Sequence, residues 1–146
     1  MRERNDVAFP SDVLSEAELT GLCKTRWLGK AFRCYEEITS TNTEAARLAE
    51  ECAAHGTVVV SEIQTQGKGR RGRRWMSERG QGIWFSLILK PDIPPDKASV
   101  LTLVTALAVV KAIRRITGTR PLIKWPNDVV ISGRKVCGIL TDLSSC

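Results

Sequence analysis

The sequence contains a single histidine, His55, and five cysteines, with no C-x-x-C pair among them. A structural zinc site needs four closely spaced Cys or His ligands, and a disulfide framework needs an even, patterned set of cysteines. Because neither pattern is present, we expect no metal site, and we expect the cysteines to be reduced thiols in core positions. His55 lies just before Gly56, where it is expected to serve a helix end rather than a ligand.

The sequence also lacks a long uninterrupted apolar run. The most apolar segment, residues 98–110, carries Ser99, Thr102 and Thr105 and is followed by Lys111. It is shorter than the roughly 20 residues that cross a membrane. The N-terminal stretch MRERND is charged and has none of the apolar character of a signal peptide. These features predict a cytoplasmic protein without a membrane association.

Positive charge is what the sequence has in excess, and it is concentrated in one short segment. The formal net charge is +6 at pH 7, and residues 68–79 hold six basic side chains against Glu78. Residues 67–74, which we call the basic loop, read GKGRRGRR. Glycines let backbone N–H groups approach an anion, and guanidinium groups add bidentate hydrogen bonds. We therefore predict a local anion-binding loop rather than a basic face.

Two standard nucleotide motifs match the basic loop poorly. Gly67, Gly69 and Gly72 fit G-x-G-x-x-G, but a dinucleotide fold requires a helix to begin there. Residues 73–82 (RRWMSERGQG) contain two glycines and no apolar stripe. A P-loop requires Lys and a hydroxyl residue after its last glycine, and Arg73 stands there instead.

The apolar pattern predicts one domain in which helices alternate with strands early and strands follow one another late. Helices are predicted over residues 15–23, from Thr41 to just before Gly56, and from residue 96 or 97 to 117, and strands over residues 31–38, 57–63, 82–89, 122–125, 129–132 and 135–142. The turns between the last strands are too short for parallel crossovers. The class is therefore α+β, with a mixed, largely antiparallel sheet flanked by helices. The third helix is apolar on most faces, so we expect it to be buried against the sheet.

Three further stretches accompany the basic loop. Ser40-Thr41-Asn42 lies at a strand-to-helix junction, Gln64 ends the strand before the basic loop, and KWPND at 124–128 precedes RKVCGIL at 134–140. In this order (S-T-N, Q-x-x-G-x-G-R-R-G-R-x-W, K-W-P-N-D, R-K-x-x-G-I-L) the sequence resembles the catalytic domain of the biotin protein ligases, or biotin–[acetyl-CoA-carboxylase] ligases. The resemblance runs from about residue 31 to the last residue.

The resemblance implies the fold shared with class II aminoacyl-tRNA synthetases and a two-step ligase reaction. Biotin and ATP, with Mg²⁺, give biotinyl-5′-AMP and pyrophosphate. A lysine of the biotin carboxyl carrier protein of acetyl-CoA carboxylase, or of a related carboxylase, then attacks the adenylate.

Compared with the family pattern, the chain stops where the sheet would continue. We therefore expect residues 31–146 to be a C-terminally truncated catalytic domain, preceded by a leader and connector helix over residues 1–30. For such a piece we expect weak stability or association, which includes a homodimer, and doubtful independent activity. No DNA-binding domain is expected in this chain.

The resemblance also implies residue roles, which are carried over position by position. It implies catalytic roles for Arg70, Lys135 and Asp128. The residues implied to contact biotin or biotinyl-5′-AMP are Ser40, Thr41, Asn42, Gln64, Lys68, Gly69, Arg70, Trp75, Lys135 and Gly138. The residues implied to contact ATP are Arg70, Arg71, Arg73, Lys124, Asn127 and Asp128. Lys68 departs from the family, in which arginine is common, so a point charge replaces a bidentate fork.

Each implied role has a simpler alternative. Ser40, Thr41 and Asn42 can cap the helix, with Thr41 as the capping residue; Trp75 can belong to the core; and 127–128 can serve only the turn after Pro126. Two other functions also remain open. One is a lipoate–protein ligase of the same superfamily, which Trp75 and the intact KWPND disfavour. The other is a nucleic-acid-binding module that uses the basic loop.

Overall fold

The computed structural model describes residues 13–143. Residues 1–12 of the predicted leader and connector segment, and residues 144–146 with Cys146, lie outside the described residues. The chain forms two compact units, one of residues 13–65 and 76–89, the other of residues 66–75 and 90–143. The helices are α1 (Glu16–Leu22), α2 (Thr41–Glu50) and α3 (Ser99–Thr117), and the strands are β1 (Phe32–Ile38), β2 (Val58–Gln64), β3 (Trp84–Leu87), β4 (Leu122–Lys124), β5 (Asp128–Ile131) and β6 (Arg134–Gly138). Within the described range, no helix combines the length and apolarity that a membrane crossing requires.

The first unit places a three-stranded sheet between α1 and α2. Strand β2 is central and pairs in parallel with β1 and antiparallel with β3. Because successive strand residues face opposite sides, Val59 packs with the apolar residues of α2, whereas Val58 and Val60 pack on the side of α1. Both faces of β2 are therefore covered, which explains why its three successive valines are all buried.

The start of α2 differs from the prediction. Ser40 is the N-cap residue and makes no side-chain capping hydrogen bond, and Thr41 is the first helical residue. The hydroxyl of Thr41 donates instead to Oε1 of Gln64 at 3.0 Å. The prediction that Thr41 caps the helix is wrong, because its hydroxyl has a partner on β2. The helix also ends at Glu50, before the predicted stop at Gly56.

The second unit contains an antiparallel sheet in the order β4-β5-β6. Ser132 and Gly133 connect β5 to β6 with φ angles of 50° and 78°, as a two-residue hairpin turn of this hand requires. The predicted hairpin is confirmed. Strand β6 ends at Gly138, short of the predicted end. The described strands thus form two three-stranded sheets, which keep the α+β class and the mostly antiparallel pairing.

Helix α3 is less buried than its composition predicts. It packs against β4 and β5, with Ala106 as its one fully buried residue. Val100, Leu103, Val104 and Leu107 are exposed and recur at the spacing of one helix face. The expectation that α3 is buried against a sheet therefore holds for one face and is wrong for the other.

Candidate functional site

Five polar side chains meet where α2 begins and β2 ends in the first unit. They are Thr41, Asn42, Gln64, Ser77 and Ser86, which we call the polar cluster. Oε1 of Gln64 accepts hydrogen bonds from the backbone N–H of Thr41 at 2.8 Å and from its hydroxyl at 3.0 Å. Nε2 of Gln64 donates to Oγ of Ser77 at 2.9 Å. The hydroxyl of Ser86 lies 2.9 Å from Oγ1 of Thr41 and 2.5 Å from Oδ1 of Asn42.

The hydroxyl residues of this region are almost entirely buried. The exposed fraction is 1% for Ser40, 4% for Thr41, 5% for Ser77 and 8% for Ser86. Burial of a hydroxyl costs free energy unless the group is hydrogen-bonded. For Thr41, Ser77 and Ser86 the polar cluster provides those partners from within itself, so it can hold neutral donors and acceptors in fixed positions.

Sequence reasoning identified only part of the polar cluster. It named Thr41, Asn42 and Gln64, which the structure brings together, but it missed Ser77 and Ser86. Ser86 carried one usable signal, because it interrupts the apolar strand WFSL of β3 and a buried serine needs a partner. Ser77 carried none, since it follows the basic loop in a segment without a recognisable period.

In the second unit, backbone hydrogen bonds close the basic loop on itself. The N–H of Trp75 donates to the carbonyl of Gly67 at 2.8 Å, and the N–H of Gly69 donates to the carbonyl of Arg73 at 2.7 Å. All five basic side chains of the loop are exposed. Together with Leu140 and Asp142, the loop lines an open groove of about 1090 Å³. The charge is thus displayed around a concave surface.

The turn between β4 and β5 holds one arginine of the basic loop. Nη1 of Arg70 donates to Oδ1 of Asn127 at 3.0 Å. Asn127 is itself anchored, because its Nδ2 donates to the carbonyl of Ile139 at 3.1 Å and its own carbonyl accepts from the N–H of Ile139 at 2.9 Å. Asn127 therefore serves the turn and also orients the guanidinium of Arg70.

Lys135 lies between an acidic and an aromatic side chain. Its ammonium nitrogen is 2.7 Å from Oδ1 of Asp128 and 4.7 Å from the ring centroid of Trp75. The face of an indole ring attracts a cation, so both neighbours hold the ammonium in place. Lys124, the other predicted lysine, is exposed at the end of β4, where it is the register partner of Asp128.

Gly138 is the residue that makes room for this lysine. A Cβ at Gly138 would lie 2.9 Å from both Cε and Nζ of Lys135 and 3.3 Å from the ring of Trp75. Gly138 is also paired with Asp128 across β5 and β6. The predicted residues Asp128, Lys135, Trp75 and Gly138 therefore form one contiguous group.

Four cysteines lie among the described residues. Cys23, Cys34, Cys52 and Cys137 are free thiols. The expectation that they fill core positions is wrong, because Cys52 is exposed and the other three are only partly buried. Burial raises the pKa of Cys34 and of Cys137, which keeps both thiols neutral at pH 7.

A family model described as the biotin/lipoate A/B protein ligase family matches residues 34–144. The chain belongs to this family. It is 45% identical over 132 residues to the bifunctional ligase/repressor BirA of Bacillus subtilis, an alignment that covers 90% of this chain and 41% of that protein. It is 41% identical to a biotin–[acetyl-CoA-carboxylase] ligase of Paracoccus denitrificans, over 72% of this chain and 44% of that protein.

Solved biotin protein ligases have the same fold. The structure of the Aquifex aeolicus enzyme in complex with biotin and ATP is 39% identical and superposes with a TM-score of 0.70, covering 79% of this chain and 47% of that one. The chain spans about two fifths of the length of the curated relatives that it matches. The biotin/lipoate ligase family and its α+β fold, both predicted from the motifs, are confirmed. The roles of single residues stay predictions.

Proposed function

We propose that this protein functions in the ligation of biotin to a protein. Biotin and ATP form biotinyl-5′-AMP, and the biotinyl group passes to a lysine of a biotin carboxyl carrier protein. One observation carries the proposal: the chain combines a buried, neutral hydrogen-bonding cluster with an exposed cationic loop. The neutral ureido ring of biotin suits the first, and the polyphosphate of ATP suits the second. The relative named as a biotin–[acetyl-CoA-carboxylase] ligase and the solved biotin protein ligase with biotin and ATP support the same reaction.

The basic loop has the charge that the first step needs. The carboxylate oxygen of biotin attacks the α-phosphorus of ATP, the bond to the bridging oxygen breaks, and pyrophosphate leaves. Two anions must be held together, and the charge on the leaving group must be neutralised. Contacts from Lys68, Arg70, Arg71 and Arg73 would each contribute roughly 1.5–3 kcal/mol, the range for hydrogen bonds to charged groups.

Lys135 is the cation proposed to meet the reacting carboxylate and α-phosphate. Its ammonium is held by Asp128 and Trp75, so little reorganisation is needed when negative charge develops beside it. Asp128 then acts through Lys135 in this step, which differs from the expectation of a direct contact with ATP. In the second step the carrier lysine attacks the acyl carbon, and AMP leaves.

Mg²⁺ is proposed to arrive with ATP. The described residues include no group of three or more His, Cys, Asp or Glu side chains placed to hold a metal ion. This fits Mg²⁺, which keeps several waters and binds through phosphates and one or two carboxylates.

The polar cluster favours biotin over lipoate, the other substrate in the family's name. The dithiolane ring of lipoate has no hydrogen-bonding group for the side-chain amide of Gln64 to meet. A buried donor left unpaired by the wrong ligand costs about 1–3 kcal/mol. The cluster therefore discriminates against an apolar ring.

Calorimetric titration of the 146-residue chain tests the proposal. We expect binding of biotin that changes little between low and high salt, binding of ATP that weakens with salt, and no binding of lipoate. Gln64→Leu should weaken biotin binding by roughly tenfold or more. Ser61→Ala, which removes a buried hydroxyl of β2 that donates to the carbonyl of Ile63, should leave it unchanged.

A kinetic measurement adds the reaction itself, on a version extended to the length of the matched relatives, of which this chain spans about two fifths. Biotin should stimulate Mg²⁺-dependent exchange of labelled pyrophosphate into ATP. A chain that bound neither biotin nor biotinyl-5′-AMP, yet bound nucleic acid with a log–log salt slope of about −0.9 per phosphate contacted, would overturn the proposal in favour of a nucleic-acid-binding module.

A further inference from the structure

Ser77 contacts Gln64 through both its backbone and its side chain. The backbone N–H of Gln64 donates to the carbonyl of Ser77 at 3.4 Å, and Nε2 of Gln64 donates to Oγ of Ser77 at 2.9 Å. The two residues form an isolated antiparallel bridge, so their side chains lie on the same side of the backbone. Ser77 is therefore held directly beside the amide of Gln64.

The side-chain amide of Gln64 uses all of its acceptor capacity but only half of its donor capacity within the protein. Oε1 of Gln64 accepts two hydrogen bonds, both from Thr41, and a carbonyl oxygen has two lone pairs. One of these donors is a backbone N–H, which cannot act as an acceptor, so the oxygen must face Thr41. The nitrogen then faces Ser77, and one of its two hydrogens is used there. What the amide retains for a ligand is an N–H donor.

The contacts of Thr41 thus fix which way round the Gln64 amide lies, but they hold only its oxygen. The glutamine side chain has three rotatable bonds, and fixing it costs conformational entropy. Ser77 supplies the contact that holds the nitrogen end. At 5% exposure, its hydroxyl has little access to water and is available as a fixed acceptor.

We propose that Ser77 is a positioning residue that fixes the amide of Gln64 so that its remaining N–H points to a carbonyl acceptor of the ligand. The identity of the ligand rests on the proposed function, under which the acceptor is the ureido carbonyl of biotin. The orientation of the Gln64 side chain in the ligand-free protein does not depend on the proposed function. Ser77 lies outside the motifs on which the resemblance was based, and the proposal gives it a role in specificity for a cyclic urea.

The first test is spectroscopic and needs no ligand. The side-chain ¹⁵N–¹H signals of Gln64 are assigned by their loss in Gln64→Glu. In Ser77→Ala these signals should move toward the positions of a solvent-exposed glutamine and should report faster side-chain motion. Ser77→Thr, which keeps the hydroxyl, should preserve them. Ser61→Ala removes an equally buried hydroxyl that donates to a backbone carbonyl, and it should leave the Gln64 signals unchanged.

The second test measures biotin affinity. Ser77→Ala should weaken biotin binding by roughly five- to tenfold, the equivalent of one neutral hydrogen bond. It should not change ATP binding. Combined with Gln64→Ala, it should add almost nothing to the loss caused by Gln64→Ala alone. Ser77→Thr should restore affinity, and thermal unfolding curves of all variants should show cooperative folding.

The role of Ser77 and the proposed function can each be overturned without the other. Unchanged Gln64 signals in Ser77→Ala, or an affinity loss no larger than that of Ser61→Ala, would overturn the role of Ser77. Additive losses in the double variant would overturn it as well. A wild-type chain without biotin affinity would overturn the proposed function, while the Gln64 spectra would still decide whether Ser77 holds the amide.

Discussion

The ammonium of Lys135 lies 2.7 Å from Oδ1 of Asp128, and both side chains are partly buried, at 37% and 23% exposure. Such a pair is less screened than one on the open surface. Trp75 covers the ammonium from a second direction at 4.7 Å. Lys135 is thus held in place before any ligand arrives, which is the condition for electrostatic stabilisation of a transition state.

Lys135→Gln should therefore impair adenylate formation more than biotin binding. We expect pyrophosphate exchange to fall by roughly 100-fold or more, as when one preorganised donor to a developing charge is lost. Biotin affinity should fall much less, because the contacts to the ureido ring are proposed to come from the polar cluster. Lys111→Gln, an exposed lysine of α3, serves as the control for loss of one positive charge. Equal losses in exchange and in affinity would contradict this role.

Gly138→Ala should lower the rate of adenylation while leaving the stability of the fold nearly unchanged. Its new Cβ would come within 2.9 Å of Cε and Nζ of Lys135. The end of a lysine side chain moves aside easily, so the free energy of unfolding should change by no more than about 1 kcal/mol. The displaced ammonium should lower the rate of adenylation by roughly tenfold or more. In Gly21→Ala, where nothing lies within 4 Å of the added Cβ, exchange should stay at the wild-type rate.

Arg70→Gly should release the reactive intermediate. Arg70 is oriented by Asn127, and an acyl-adenylate must be kept from water and stray amines. With biotin and ATP present, we expect the variant to label lysines of a bystander protein more than the wild type does. Arg79→Gln is the matched control, because Arg79 pairs with Glu36 outside the basic loop. If bystander labelling does not rise, the loop does not retain the adenylate.

Glu44 should make the first unit sensitive to acid. Hydrogen bonds from Arg47 and from the hydroxyl of Tyr35 hold the pKa of this carboxyl below its usual value. A lowered pKa in the folded state stabilises the protein above the pKa of an unfolded glutamate, about 4.3, and that contribution is lost as the pH falls through the folded value. Melting temperatures of Glu44→Gln should therefore vary less between about pH 5 and pH 3 than those of the wild type. Glu50→Gln, at an exposed site on α2, should keep the wild-type pH profile.

Local features of the chain could be predicted from the sequence alone. Ser15 opens α1 by accepting the N–H of Glu18, Gly118 ends α3 at a φ of 69°, and Ser132-Gly133 form the β5–β6 hairpin. Each depends on contacts among neighbouring residues, where a residue's own conformational preference decides. The basic loop was predictable for the same reason, since its charge and glycines are contiguous. The motifs then indicated the family.

The tertiary structure alone decided which side chains meet. Ser77 is 13 residues from Gln64, and Ser86 is 45 residues from Thr41, so neither pairing leaves a periodic signal in the sequence. The role of Thr41 was mispredicted for this reason. A local rule predicts that it caps the helix, but its hydroxyl donates instead to Gln64 on strand β2. The need for glycine at position 138 likewise appears only when Lys135 and Trp75 pack over it. Hydrogen bonds and close packing act through space, and only the folded chain brings these distant positions within their range.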